Sequence, residues 1–101
     1  MKAVEVRYTV RPEFVEQNKA NIRKVMQRLR DEPIEGMFYS SYTLDDGCTF
    51  VHINIARDPE TLGRLVEVAE FKEFQAALKA SQPTSPPSPT PLSPVAAGFE
   101  V

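Results

Sequence analysis

Residues 37–56 read Met-Phe-Tyr-Ser-Ser-Tyr-Thr-Leu-Asp-Asp-Gly-Cys-Thr-Phe-Val-His-Ile-Asn-Ile-Ala. Asp45-Asp46-Gly47 is a hairpin turn signal, because glycine accepts the positive φ that tight hairpins require. The flanks, residues 37–44 and 48–56, are rich in aromatic, β-branched and hydroxyl side chains, as strands are. In the second flank Thr49, Val51, Ile53 and Ile55 share one face, and Cys48, Phe50, His52 and Asn54 share the other. A two-residue loop at Asp46-Gly47 aligns Tyr39, Ser41 and Thr43 with the His52 face. A three-residue loop substitutes Phe38, Ser40 and Tyr42. The two-residue loop is favoured, because it sets Phe38 beside Val51, Ile53 and Ile55 as a surface for helices to cover.

Working outward, residues 3–11 alternate. Val4, Val6, Tyr8 and Val10 point one way, and Glu5, Arg7, Thr9 and Arg11 the other. Pro12 ends this strand and suits the first turn of a helix over 13–32, where Val15, Ile22, Val25, Met26 and Leu29 form an apolar stripe interrupted by Asn18. Pro33 stops that helix. Asp58-Pro59-Glu60 combines an N-cap, a first-turn proline and an early acid. The apolar phase then rotates between Leu62/Leu65/Val66/Ala69 and Phe71/Phe74/Leu78, so two helices are expected, over 59–67 and 69–81. Residues 83–94 hold six of the nine prolines and read as an extended connector to a last strand over 95–101. The order β-α-β-β-α-β predicts an α+β, ferredoxin-like domain over 1–101: a four-stranded antiparallel sheet with helices on one face. The first and third strands are expected to be central, adjacent and parallel.

Composition narrows the chemistry. Of 101 residues, 42% are hydrophobic and 26% charged, and the net charge is −2. That balance fits a globular domain and gives no basic surface for general nucleic-acid binding. A single cysteine, Cys48, excludes an internal disulfide or a cysteine zinc cage, and the single histidine excludes a multi-histidine metal site within one chain. Cys48 has no neighbouring activator and reads as structural. Met1-Lys2-Ala3-Val4-Glu5 lacks the apolar core of a signal peptide, and no apolar run reaches membrane-spanning length. A cytoplasmic protein with no nucleic-acid partner, no membrane partner and no metal is expected. The basic residues of the first helix, Lys19, Arg23, Lys24, Arg28 and Arg30, read as a solvated face.

Three stretches, RYTVRPEFVEQNK (7–19), LDDGCTFVHINI (44–55) and AEFKEFQAAL (69–78), resemble small bacterial proteins of the dimeric α/β-barrel superfamily, nearest to relatives of the antibiotic-biosynthesis monooxygenases. The resemblance implies a homodimer whose sheets pack face to face, with a pocket in each subunit between sheet and helices. It also implies activity without a prosthetic group, so no cofactor is expected. The implied function is oxygenation or isomerisation of a small aromatic or enolisable substrate. The alternative is a non-catalytic dimer that binds a small ligand or only assembles, and the absence of tryptophan favours it.

The candidate site residues are read onto the sheet face away from the helices, which a partner sheet would close into a cavity. Glu5, Arg7 and Thr9 come from the first strand, Phe50, His52 and Asn54 from the third, and Tyr39 from the second. His52 is the candidate base, because imidazole exchanges protons near neutral pH. Arg7 is the candidate for stabilising negative charge. Tyr39, Asn54, Phe50 and Glu5 are candidates for holding a small-molecule ligand. Asn18, a polar residue in an apolar stripe, either closes a helix–sheet hydrogen bond or reaches the pocket rim.

Overall fold

A computed structural model describes residues 1–101. The chain forms β1 (Lys2–Thr9), a 3-10 turn and α1 (Val15–Asp31), then β2 (Met37–Thr43) and β3 (Thr49–Ala56). It continues through α2 (Pro59–Gly63), a second 3-10 turn, α3 (Ala69–Ala80) and β4 (Ser85–Leu92). The sheet order is β2-β3-β1-β4. This is the expected ferredoxin-like α+β plan. β1 and β3 are the central neighbours, but they run antiparallel, not parallel as expected from sequence order. The reason is connectivity. α1 carries the chain back so that β2 repeats the direction of β1, and the hairpin then reverses β3.

The hairpin keeps the register of the favoured loop: Tyr39, Ser41 and Thr43 face Asn54, His52 and Phe50. The turn itself is longer, because Leu44 N–H still reaches the Thr49 carbonyl and Gly47 N–H closes back on Leu44. Gly47 adopts φ +73°. Asp46 accepts hydrogen bonds from the backbone N–H of Cys48 and Thr49 and from the Thr49 hydroxyl, and these hold its carboxyl below the usual carboxylate range.

The faces of β3 are reversed from expectation. β1 pairs Val4 with Asn54, Val6 with His52 and Tyr8 with Phe50, so all six point the same way, toward the helices. Val51, Ile53 and Ile55 lie on the open face with Glu5, Arg7 and Thr9. Apolarity alone pointed to the aliphatic set as the covered one. Pairing with β1, whose valines and Tyr8 lie under the helices, decides otherwise.

β4 corrects the reading of the C-terminal region. The proline tract is itself the last strand, and residues 95–101 form none. β4 is an edge strand paired only with β1. Proline cannot donate to a ladder, so it fits where its nitrogen points away from the neighbour. Pro89 and Pro91 sit opposite Val6 and Val4, and Ser88 and Thr90, each preceding one of them, carry N–H groups toward Arg7 and Glu5. The register shifts between Arg7 and Thr9, which accommodates Pro86-Pro87 opposite Tyr8. Beyond Leu92 the chain returns across the open face, and Phe99 meets Phe38 of the opposite edge strand at 5.8 Å between ring centroids.

Helix positions follow their apolar spacing. α1 buries Asn18, Ile22 and Val25, and α3 buries Phe71, Phe74 and Leu78. The Asp58 side chain caps α2 by accepting from Thr61 N–H at 2.7 Å. Val68 leaves helical geometry between the second 3-10 turn and α3, where the apolar phase rotates. Tyr8, Val10 and Phe50 of the sheet side join these helical residues in one core. Each large side chain buried there contributes roughly 1.5–3 kcal/mol. No helix is long and apolar enough to cross a membrane.

Candidate functional site

The reversal of β3 moves the chemistry from the open face to the space beneath the helices. A cavity of about 190 Å³ lies between the sheet and α2–α3. Tyr8, Tyr39, His52 and Asn54 line it from the sheet, and Leu62, Phe71 and Phe74 from the helical side. Val66, Gln75 and Pro87 also line it, and all three are exposed, which puts the mouth between the helices and β4.

Four polar side chains form a chain of hydrogen bonds along one wall. Asn18 donates from Nδ2 to the Tyr8 hydroxyl at 2.9 Å. The Tyr8 hydroxyl meets His52 Nε2 at 2.7 Å, and His52 Nδ1 meets the Tyr39 hydroxyl at 2.5 Å. Ser41 Oγ lies at 3.4 Å from Nε2, too long to compete. Asn18, Tyr8 and His52 are 0%, 2% and 4% exposed. The rings stack as well as bond. Tyr8 lies at 5.5 Å from Phe50 with planes 8° apart, and His52 lies at 5.4 Å from Phe74.

Proton accounting assigns the tautomer. If Nε2 carried the hydrogen, the Tyr8 oxygen would accept from both His52 and Asn18. The buried Tyr8 O–H would then lack an acceptor, at a cost of about 1–3 kcal/mol. With the hydrogen on Nδ1, Tyr8 donates to Nε2, and Nδ1–H donates to the Tyr39 oxygen. The Tyr39 O–H is then the only hydroxyl proton of the chain left over, on a residue that lines the cavity. Burial lowers His52 from 6.5 to about 4, so it is neutral at pH 7. Burial also raises both tyrosines well above their usual range, and for Tyr39 the proximity of Tyr8 adds to the effect. The wall is therefore uncharged.

Asn54 stands opposite Tyr39 on β2 and Val4 on β1. It is 5% exposed, and its carboxamide oxygen has no hydrogen-bond partner, like that of Asn18. Of the sequence candidates, His52, Tyr39, Asn54, Phe50 and Asn18 come together on this side of the sheet. Glu5 and Arg7 do not. They pair with each other at 3.2 Å on the opposite face, in reach of water. Tyr8, which the alternation places with Val4, Val6 and Val10, is not among the sequence candidates. The available signal was a pair of polar intruders: a buried tyrosine hydroxyl needs a partner, and so does an asparagine in an apolar helix stripe. The aromatic wall from Phe71 and Phe74 was legible as helix spacing but not as a lining.

No family model matches the chain, and no curated protein matches it. Solved structures do. The structure of Rv0793 from Mycobacterium tuberculosis superposes with a TM-score of 0.82 at 21% identity, covering 97% of this chain and 98% of that one. A protein described as an antibiotic biosynthesis monooxygenase gives a TM-score of 0.81 at 15% identity, with 95% and 100% covered. A point mutant of SnoaB, a cofactor-independent oxygenase from Streptomyces nogalater, gives 0.72 at 16% identity, with 98% and 97% covered. At these identities the likeness is one of fold, and this chain has the ferredoxin-like fold of the antibiotic biosynthesis monooxygenase-like proteins.

Proposed function

We propose that this protein is a cofactor-free monooxygenase or isomerase for a small aromatic or enolisable substrate bound between sheet and helices. The observation that carries the reading is the spare Tyr39 O–H, held by the Asn18–Tyr8–His52 chain on a residue lining an uncharged cavity. A fixed donor in such a site stabilises negative charge developing on a substrate oxygen, as in an enolate, without reorganising at the moment of reaction. His52 is a positioning residue in this scheme. Both its nitrogens are engaged, and its depressed pKa makes it a weak base. Arg7, on the other face, has no part. In the oxygenase form dioxygen is the co-reactant. The enolate carbon bonds to one oxygen atom, and the O–O bond then breaks. That atom stays as a carbonyl, and the other leaves as water with the two hydrogens of the former CH₂.

Protein-dependent oxygen uptake or tautomer exchange, measured over a set of enolisable aromatics, tests the reading. Tyr39→Phe is expected to slow turnover by roughly a hundredfold, beyond what its loss of about 1–3 kcal/mol of stability explains, since it also leaves the buried His52 Nδ1–H without an acceptor. Equal rates for the two proteins would retire the scheme. The weak basicity of His52 favours a second reading, a ligand-binding protein without turnover. In that case ligands bind, no product forms, and Tyr39→Phe changes affinity and stability only.

We further infer that the protein pairs sheet to sheet with a second copy. Phe38 and Tyr42, 51% and 54% exposed, flank Ile53 and Ile55 on the open face, and Leu92 is exposed at its far edge. These exposed apolar side chains, beside the Glu5–Arg7 pair and with Phe99 of the C-terminal segment already packed on Phe38, support an interface.

A further inference from the structure

We infer that the site takes a two-part ligand: an uncharged ring inside the cavity, and a carboxylate on a short chain that lies outside, in a groove along α3, against Lys79. This rests on the reading of the cavity as the substrate site and adds the class of substrate, an aryl-alkyl acid. Continuity comes first. A second space of about 330 Å³ lies on the surface between α3 and the proline-rich stretch that leads into β4. Gln75, Leu78 and Pro87 line both this groove and the cavity, so the two spaces adjoin. Gln75 and Pro87 are exposed, which places the junction at the mouth. The cavity, at about 190 Å³, holds one ring, since about 150 Å³ suffices for benzene. The rest of a longer ligand must leave by the mouth and enter the groove. There Pro83, Pro86 and Pro87 offer apolar ring surface without N–H donors, a wall suited to a methylene chain.

Charge comes second. No Asp, Glu, Lys or Arg lines the cavity, and Lys79 is the one charged residue lining the groove. A carboxylate inside the cavity would leave water without meeting a counter-ion. At Lys79 it keeps its water and gains an opposite charge. Lys79 is exposed and pairs with no carboxylate of the protein, unlike Lys19, which pairs with Glu16 at 3.4 Å. Distance comes third. Gln75 at the mouth and Lys79 are an i, i+4 pair on α3, so they share a face and stand about 6 Å apart along the helix. The acid therefore sits about one helical turn beyond the mouth, a step that a chain of a few methylenes covers.

Calorimetric titration of the purified full chain at low salt tests this with 4-phenylbutyrate, its neutral amide 4-phenylbutyramide, and benzoate. The carboxylate is expected to bind roughly three- to fivefold more tightly than the amide, the range an exposed ion pair supplies. Benzoate, whose acid cannot reach the groove, should bind more weakly than either. Lys79→Gln should bring 4-phenylbutyrate and its amide to equal affinity. Lys79 is exposed at the end of α3, and an unchanged melting temperature checks that the variant folds. His52 is the only histidine, so its imidazole proton resonance reports on the cavity alone and should shift when 4-phenylbutyrate binds. Equal binding of carboxylate and amide by the unaltered protein overturns the inference. So do a preference that survives Lys79→Gln, a His52 resonance that does not move, benzoate binding as tightly as 4-phenylbutyrate, or no binding of 4-phenylbutyrate. These outcomes separate from those of the functional proposal. Selective binding without any turnover retires the enzyme and keeps the Lys79 subsite, whereas turnover of an aryl-alkyl acid and its amide with the same kcat/KM does the reverse.

Discussion

His52 is neutral because its imidazole has exchanged water for two tyrosine hydroxyls and a phenylalanine face. That has a signed consequence for stability. Its pKa is about 4 folded and about 6.5 unfolded, so between those values the unfolded chain binds the extra proton. Stability is full above pH 6.5 and is lost as pH falls toward 4, by up to about 3 kcal/mol. Urea unfolding from pH 7.5 to 4 should record that loss, and His52→Gln should flatten it. Asp46 and Asp58, both held below 3.8 by hydrogen bonds, act only at lower pH and do not mimic it. Tyr8→Phe should cost roughly 1–3 kcal/mol, because it strands Asn18 Nδ2 and His52 Nε2 in a buried site. A loss below about 0.5 kcal/mol would mean that water or a shifted side chain takes over. His52, Tyr39 and Asn54 were legible as candidates because strand parity and the hairpin register group them. Their link through Tyr8 was not, since it depends on which face of β3 the helices cover.

At the scale of elements, β3 explains the largest misreading. Both of its faces carry apolar side chains, so alternation cannot say which one meets the helices. The aliphatic set on the open face is what a strand covered on both sides requires. β4 was misread for a different reason: its prolines mask a two-residue period in which Ser88 and Thr90 are the donors. Two substitutions probe these elements. Thr90→Pro removes a donor aimed at β1 and should cost about 1–2 kcal/mol, with faster amide exchange along that edge. Gly36 has φ +79°, and an added Cβ would lie 2.6 Å from Arg57 Cδ. Gly36→Ala should therefore destabilise by roughly 1–2 kcal/mol in thermal melts, and an unchanged melting temperature would show that the β2 start relaxes freely.

For the whole molecule, element order sufficed to fix the sheet order and the helix side, because few topologies satisfy β-α-β-β-α-β. Strand direction also follows from that order, once the return through α1 and the hairpin reversal are counted, whereas the location of the last strand and the covered face of β3 needed three-dimensional pairing. The assembly prediction belongs to this scale. Light scattering should give about twice the 11.4 kDa chain mass, and Tyr42→Lys with Phe38→Lys should return it to that mass with the fold intact. A monomer for the unaltered chain would refute sheet-to-sheet pairing. The proline rim of β4 bears on assembly too. Along that border the backbone offers carbonyl acceptors to the outside but no proline donors to answer them, so an incoming strand cannot zip onto it. The sheet can therefore lengthen only from its β2 side. A molecule able to add strands at one border alone stops at a pair, which keeps an aliphatic-rich sheet from propagating into fibrils.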